Sequence, residues 1–236
     1  MLILIILVSG CAYTVQPTQY SSVSSLVAAM GKNTGFLTSM KALASVSIHA
    51  NGRGAEFPEG IVLDGDAMRL ETLNIFYQPV LIIVCNDGVA VMDVGTGACG
   101  ISPAGMLDRY TRVDAEPVLF ERLITGRLIG KPDSVSGAGS GPTLSGVHDG
   151  TRWTAELDGE LHVVSMTVRQ GRPDQILCRY SDYATVDGAA LPMRVACRSA
   201  NTRISLHYRK ARVNVPIAPA LMDAQGLCSA GHGEGR

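Results

Sequence analysis

The chain has 236 residues, with 20 basic and 21 acidic side chains, a balance that argues against a nucleic-acid surface and against a charged, disordered chain. Hydrophobic residues make up 46% and charged residues only 17%, so a sizeable core can be buried. The 26 glycines and 5% aromatics suit short strands joined by tight turns.

The first twelve residues read MLILIILVSGCA. Met1 to Val8 is apolar but too short to span a bilayer, which takes about 20 residues. Residues 1–10 therefore read as the apolar part of a signal peptide, although no Lys or Arg precedes the run as a secretory signal requires. The other reading is a short core strand with a chance cysteine. Val8, Ser9, Gly10 and Cys11 resemble the lipobox of bacterial lipoproteins, in which the cysteine is acylated. That resemblance implies a mature chain starting at Cys11, anchored through acylation, with residues 11–19 as a tether. In the enterobacterial lipoproteins this segment resembles, Asp after the cysteine retains the protein in the inner membrane, so Ala12 implies the outer one, with the domain facing the periplasm. Five more cysteines remain, and in a compartment that permits disulfides one of them must stay unpaired or pair outside the chain.

Residues 20–227 read as one domain and 228–236 as a disordered tail. Val23, Leu26, Val27 and Met30 recur at helical spacing behind serines that can cap, which predicts a short helix ending at Gly31. Six Asx-Gly dipeptides follow: Asn51-Gly52, Asp64-Gly65, Asp87-Gly88, Asp149-Gly150, Asp158-Gly159 and Asp187-Gly188. Each can supply the positive φ angles of a hairpin turn, so the chain reads as an antiparallel meander.

Between them, Pro79 to Cys85 is apolar without alternation, so both faces of that strand should be covered, or one should meet lipid. The residues before it, Leu73, Ile75 and Phe76, are candidates for a membrane or partner loop, with core burial as the other reading. Ser102-Pro103 predicts a helix through Tyr110, and Pro117 to Leu123 predicts another, stopped at Gly126. Gly130 to Gly146 reads as a flexible loop.

A two-residue turn at Asp187-Gly188 sets Val186 opposite Ala189 and so Cys178 opposite Cys197. Tyr180, Ala184 and Val186 then share an apolar face with Leu191, Met193 and Val195, while Arg179, Arg194 and Arg198 fall on the other. The register permits a cross-strand Cys178–Cys197 disulfide at a hydrogen-bonded pair, or two reduced core cysteines.

Chemistry-bearing patterns are weak. Gly95-Thr96-Gly97-Ala98-Cys99-Gly100 fits G-x-G-x-x-G, but Glu116 and Pro117 open a helix where a dinucleotide fold needs a strand ending in an acid. Ser140 lacks the first glycine of a nucleophile elbow, and the five histidines show no metal-ligand spacing. No catalytic group, metal or cofactor is expected, and the chain reads as a non-enzyme.

Taken in order, the lipobox, GIVLDGDAMRLE, PVLIIV, DGVAVMD, PVLFERLITG, LPMRV and RISLHYRKARVN resemble the outer-membrane lipoprotein receptor family LolB. They are more similar still to LolB-like lipoproteins of an uncharacterised branch of the LolA/LolB lipoprotein-localisation superfamily. The single Trp153 departs from that family, which uses several. The resemblance implies an unclosed, curved antiparallel β-barrel, mainly β, with short helices covering its concave side and an apolar cavity for acyl chains. Ile82, Val84, Leu191, Met193 and Val195 are the candidate cavity lining. The implied function is acyl-chain binding by an outer-membrane-anchored lipoprotein, which would receive lipoproteins from a periplasmic carrier and insert them. A structural or envelope-sensing lipoprotein with a filled core is the alternative.

Overall fold

The computed structural model describes residues 22–34, 36–86, 88–102, 116–137, 141–169 and 175–231. Among them thirteen strands form one antiparallel sheet in the order β6-β5-β4-β3-β2-β1-β13-β12-β11-β10-β9-β8-β7. Two meanders, β1 to β6 and β7 to β13, are joined where β1 (Ser39–Ala50) pairs with β13 (Thr202–Val213). The outermost strands β6 (Cys99–Ser102) and β7 (Ser134–Ser136) do not pair with each other, so the curved sheet is an unclosed barrel.

The turn chemistry is legible at three of the six dipeptides. Asn51 and Gly52 (φ 50° and 76°), Asp149 and Gly150 (48° and 76°), and Asp187 and Gly188 (45° and 85°) make two-residue turns with both φ positive, as strand twist demands. At Asp64-Gly65 the turn is shifted by one, because Asp64 still pairs with Ala67 across β2 (Arg53–Asp64) and β3 (Ala67–Leu73). Asp158-Gly159 opens a longer loop instead, in which Asp158 Oδ1 accepts bonds from the amides of Glu160 and His162, both at 2.9 Å. Asp87 lies outside the described residues.

The register of β11 (Gln175–Val186) on β12 (Ala189–Ser199) runs from Val186 opposite Ala189 to Cys178 opposite Cys197. The two cysteines are bridged, with Cα atoms 4.0 Å apart. That is well inside the roughly 5.5 Å of an unbridged hydrogen-bonded pair.

Helix α1 (Val23–Thr34) starts at Ser22, whose Oγ accepts from the Ser25 amide at 3.2 Å, and it runs past Gly31 rather than stopping there. Gly31 serves packing: a Cβ there would lie 3.3 Å from the Phe36 ring. Helix α2 (Pro117–Thr125) ends at Gly126, in left-handed conformation at φ 71°. Of the helix expected from Ser102-Pro103 to Tyr110, Ser102 ends β6 and the remainder falls outside the described residues.

The glycine-rich segment and the C-terminal end also differ from expectation. Residues 130–146 hold β7 and the start of β8 (Thr143–His148), which form a sheet edge on β9 (Thr151–Leu157). Gly146 pairs with Trp153 across β8 and β9, and a Cβ there would sit 2.8 Å from Trp153 Cζ2, so the glycine makes room for the indole. Cys228, read as the start of a disordered tail, lies inside helix α3 (Ala224–Gly231) and is bonded to Cys99 on β6.

Candidate functional site

The two faces of the sheet are sorted by strand parity. The inner face carries Met40, Ala44 and Val46 of β1, Ile61 and Leu63 of β2, Met68 and Leu70 of β3, and continues through β8 to β13 as one buried apolar surface. Onto it α1 lays Leu26 and Met30, and α2 lays Leu119, Phe120, Leu123 and Ile124. Proline at the start and glycine at the end fix the length of α2, and its i, i+4, i+5 apolar spacing points that side inward.

Leu191 and Val195 are buried on this inner face, and Met193 packs half-buried beside them. Ile82 and Val84 do not line it. On β4 (Pro79–Cys85) it is Ile83 and Cys85 that join the inner core, so the alternate residues must face outward. They are nevertheless buried, because the C-terminal segment lies over the outer side of β3 to β6. Three ties hold it there: Arg69 Nη1 donates to the Leu221 carbonyl (3.2 Å), Asn86 Nδ2 donates to the Met222 carbonyl (3.2 Å), and Cys99 is bonded to Cys228. The doubly apolar strand is thus doubly covered. Its lack of alternation could signal coverage, but could not say which residues faced the interior.

Among the described residues the space under α2 is small. Beneath α2 the space bounded by Val46, Ile61, Leu70, Phe120, Ile124 and Leu206 measures about 20 Å³. One water fills that volume; an acyl chain does not enter it. A cleft of about 640 Å³ opens beside it between α1, α2 and the β11–β12 hairpin, lined by Val27, Met30, Phe36, Val118, Tyr183 and Ala190 among others. That size lies within the range of small-molecule sites, roughly 300–1,000 Å³.

Among the described residues few polar links hold α2 down. Tyr208, buried on β13, donates its hydroxyl to the Ile124 carbonyl at 3.0 Å, satisfying a last-turn carbonyl that the helix leaves open. Arg122 reaches the exposed Asp66 at 3.4 Å. Glu121, fully buried on α2, is held by Arg127 at 2.9 Å and Arg122 at 3.1 Å. Burial pushes its carboxyl above the ordinary carboxylate range, against the pull of the two guanidinium groups. Tyr180 is buried next to this helix with no hydrogen-bond partner for its hydroxyl among the described residues, and burial drives its pKa upward. None of these polar contacts was legible in the sequence, since none has a local spacing.

Of the loop candidates, Leu73 is buried at the end of β3, whereas Ile75, Phe76 and Tyr77 are 84%, 74% and 64% exposed. Asn74 builds this tip: its Oδ1 accepts from the amides of Phe76 (2.8 Å) and Gln78 (3.1 Å), and Tyr77 takes φ 60°. The apolar triplet is therefore displayed by a fixed turn, at the opposite end of the sheet from the 640 Å³ cleft.

The remaining candidates have structural roles. The glycine-rich stretch from Gly95 to Gly100 joins two antiparallel strands, β5 (Val89–Asp93) and β6, not a strand and a helix, so it has no phosphate cradle. His162 stacks on Tyr183, ring centroids 4.4 Å apart, and faces Asp158. Among the described residues no three metal-ligating side chains gather. Cys85 is the free cysteine among them; burial pushes its thiol up to about 12. Cys11 lies outside the described residues.

No family model matches the sequence, and no curated protein is significantly similar to it. The fold does have solved counterparts. A DUF1329 family protein from Desulfovibrio piger superposes with a TM-score of 0.61 at 10% identity, over 90% of this chain and 99% of its own. A LolA superfamily protein from Nitrosomonas europaea gives 0.59 at 8% identity, over 86% and 99%. A Vibrio parahaemolyticus domain named for outer membrane lipoprotein sorting gives 0.60 at 7%, over 88% and 100%. The chain thus shares its fold with these three proteins.

Proposed function

We propose that this chain is an envelope lipoprotein that binds acyl chains on the inner face of its half-barrel, with α2 as the element that yields to them. The observation that carries the reading is the inner face itself: one apolar surface spanning both meanders, covered by short helices that few polar contacts hold among the described residues. Displacing α2 would expose Leu119, Phe120, Leu123 and Ile124 together with the strand residues beneath them, and a hydrocarbon chain replaces that burial at about 25 cal/mol per Å². Nothing covalent is needed.

Placement follows from the lipobox. Residues 1–10 act as signal peptide, Cys11 carries the acyl anchor, residues 11–19 tether the domain, and Ala12 directs it to the outer membrane. The exposed Ile75-Phe76-Tyr77 tip is the part that meets the bilayer, and lipoprotein acyl chains delivered by a periplasmic carrier are the cargo. The similarity of fold to LolA-superfamily proteins supports this reading.

A second reading, a structural lipoprotein with a permanently filled core, is favoured by the 20 Å³ interior. Native mass spectrometry of protein extracted with and without delipidation, followed by titration with a fluorescent fatty-acyl probe, separates the two. Saturable probe binding that bound lipid suppresses supports the carrier. Absence of both bound lipid and probe binding leaves the filled-core reading. Cys11→Ser tests placement: an unprocessed precursor missing from outer-membrane fractions is the expected result.

A further inference from the structure

We infer that the end of the sheet bearing the apolar tip docks on anionic phospholipid headgroups through a row of arginines on the outer face. This rests on the reading that the Ile75-Phe76-Tyr77 tip meets a bilayer, and it names the lipid class that the same end selects. The turns at residues 51–52, 74–78, 149–150 and 200–201 all lie at this end, as the strand registers fix. Near it, five consecutive neighbouring strands each present one exposed arginine. These are Arg203 on β13, Arg198 on β12, Arg179 on β11, Arg169 on β10 (Val163–Arg169) and Arg152 on β9. Their neighbours Ile204, Cys197, Tyr180, Val168 and Trp153 are buried in the inner core, so all five arginines stand on the outer face.

The row is not arranged for stability. Arg198 lies directly opposite Arg203, and Arg152 directly opposite Arg169. Like charges facing each other across strands destabilise a sheet. Among the described residues none of the five makes an ion pair, and Arg169 reaches only the Gln175 side chain, at 3.3 Å. The arginines nearer the other end differ: Arg194 pairs with Asp182 at 2.7 Å and Arg212 with Asp187 at 2.8 Å. The exposed acids at this end are Glu56, Asp93, Asp133, Asp149 and Glu156; Asp133 lines a groove with Arg152 and Arg169, and Glu156 stands across Ser165 from Arg179, yet none pairs with the row among the described residues. On the outer face of β9 to β13 near this end, five arginines without an ion pair among the described residues stand against one exposed acid of the same strands, Glu156, which leaves that face locally positive.

A bilayer suits this end better than an acidic protein, because the same end also projects three aromatic and aliphatic side chains on a rigid turn. Apolar side chains inserting at the acyl boundary, flanked by guanidinium groups that pair with phosphate oxygens, make the two-part signal that holds peripheral proteins on anionic membranes.

The test uses the full chain with Cys11→Ser and compares its affinity for vesicles of phosphatidylcholine alone with that for vesicles containing phosphatidylglycerol. The ratio of the two cancels any contribution of residues 1–10. The expected result is a ratio well above one that falls with added salt. Replacing Arg152, Arg169, Arg198 and Arg203 together by Gln should lower it tenfold or more, since each cation near the surface is worth about fivefold. Arg194→Gln with Arg212→Gln, equal in type but paired and distant, should leave it unchanged. Phe76→Ser should lower affinity for both vesicle types. A wild-type ratio near one, or a ratio that survives the four substitutions, overturns the arginine inference. Phe76→Ser without effect on neutral vesicles overturns the tip reading beneath it, so the two failures are distinguishable. Capture of an acidic protein in place of vesicle binding would overturn both.

Discussion

If α2 must lift for a ligand to enter, then a substitution that loosens it should cost stability and raise affinity together. Tyr208→Phe is that substitution. It deletes the bond from a fully buried hydroxyl to the Ile124 carbonyl, 3.0 Å away, and keeps the ring that packs the core. The bond itself is worth about 1 kcal/mol net, and a buried carbonyl left without its donor raises the loss to about 1–2 kcal/mol. Because the bond exists only with α2 seated, the same energy comes off the closed state, and the opening equilibrium shifts about 5- to 30-fold. Urea unfolding should show the loss of stability with an unchanged m-value, while titration with a fatty-acyl probe should show tighter binding by up to that factor. Tyr180→Phe is the control: its buried hydroxyl has no partner among the described residues, so removing it should be neutral or stabilising. Should Tyr208→Phe lose stability with no gain in probe affinity, α2 is a fixed part of the core and the inner face is not a binding surface.

Non-reducing peptide mapping should recover Cys178 joined to Cys197 and Cys99 joined to Cys228, and Cys228→Ser should cost roughly 2–5 kcal/mol and free the C-terminal segment to proteolysis. Cys85, buried with its thiol pushed up to about 12, should resist iodoacetamide at pH 8 until the protein unfolds; rapid native alkylation would contradict its placement. Glu121 has a folded pKa above its unfolded value, so the stability it allows is fully present below the unfolded carboxylate pKa, about 4.3, and is lost as pH rises through the folded value. Glu121→Gln should therefore flatten stability across that window, and an unaltered pH profile would refute the shift. Gly146→Ala places a Cβ 2.8 Å from Trp153 and should lower the thermal midpoint and shift Trp emission to the red.

What the sequence made legible was what is local. The Asp187-Gly188 turn determines the β11–β12 register because two residues with positive φ leave one way to pair the flanking strands. Pro117 and Gly126 bracket α2 for equally local reasons. The apolar tip was partly legible: Ile75 and Phe76 are exposed, but Leu73 is not, since strand β3 runs one residue beyond where a loop was expected. What was not legible depends on distant chain. Residues 130–146 are rich in Gly and Ser, and no propensity reveals that Gly146 is small in order to seat Trp153. Ile82 and Val84 were assigned to the interior because a strand apolar on both sides gives no parity; only the C-terminal segment over the outer face, tied by Cys228, resolves it.

With four Phe and one Trp the chain is poor in large side chains for filling the space under a curved sheet. The interior is filled all the same, because Leu119, Phe120, Leu123, Ile124, Leu26 and Met30 arrive on two helices rather than from the strands. Filling by helices differs physically from filling by strand side chains. A strand residue cannot leave the core without breaking its ladder bonds on both sides, whereas α2 satisfies its backbone internally and can move as a unit. A space of 20 Å³ under α2 becomes an acyl site when α2 lifts, and the hydroxyl of Tyr208, which reaches from the sheet to the last turn of that helix, is the bond that such a movement breaks.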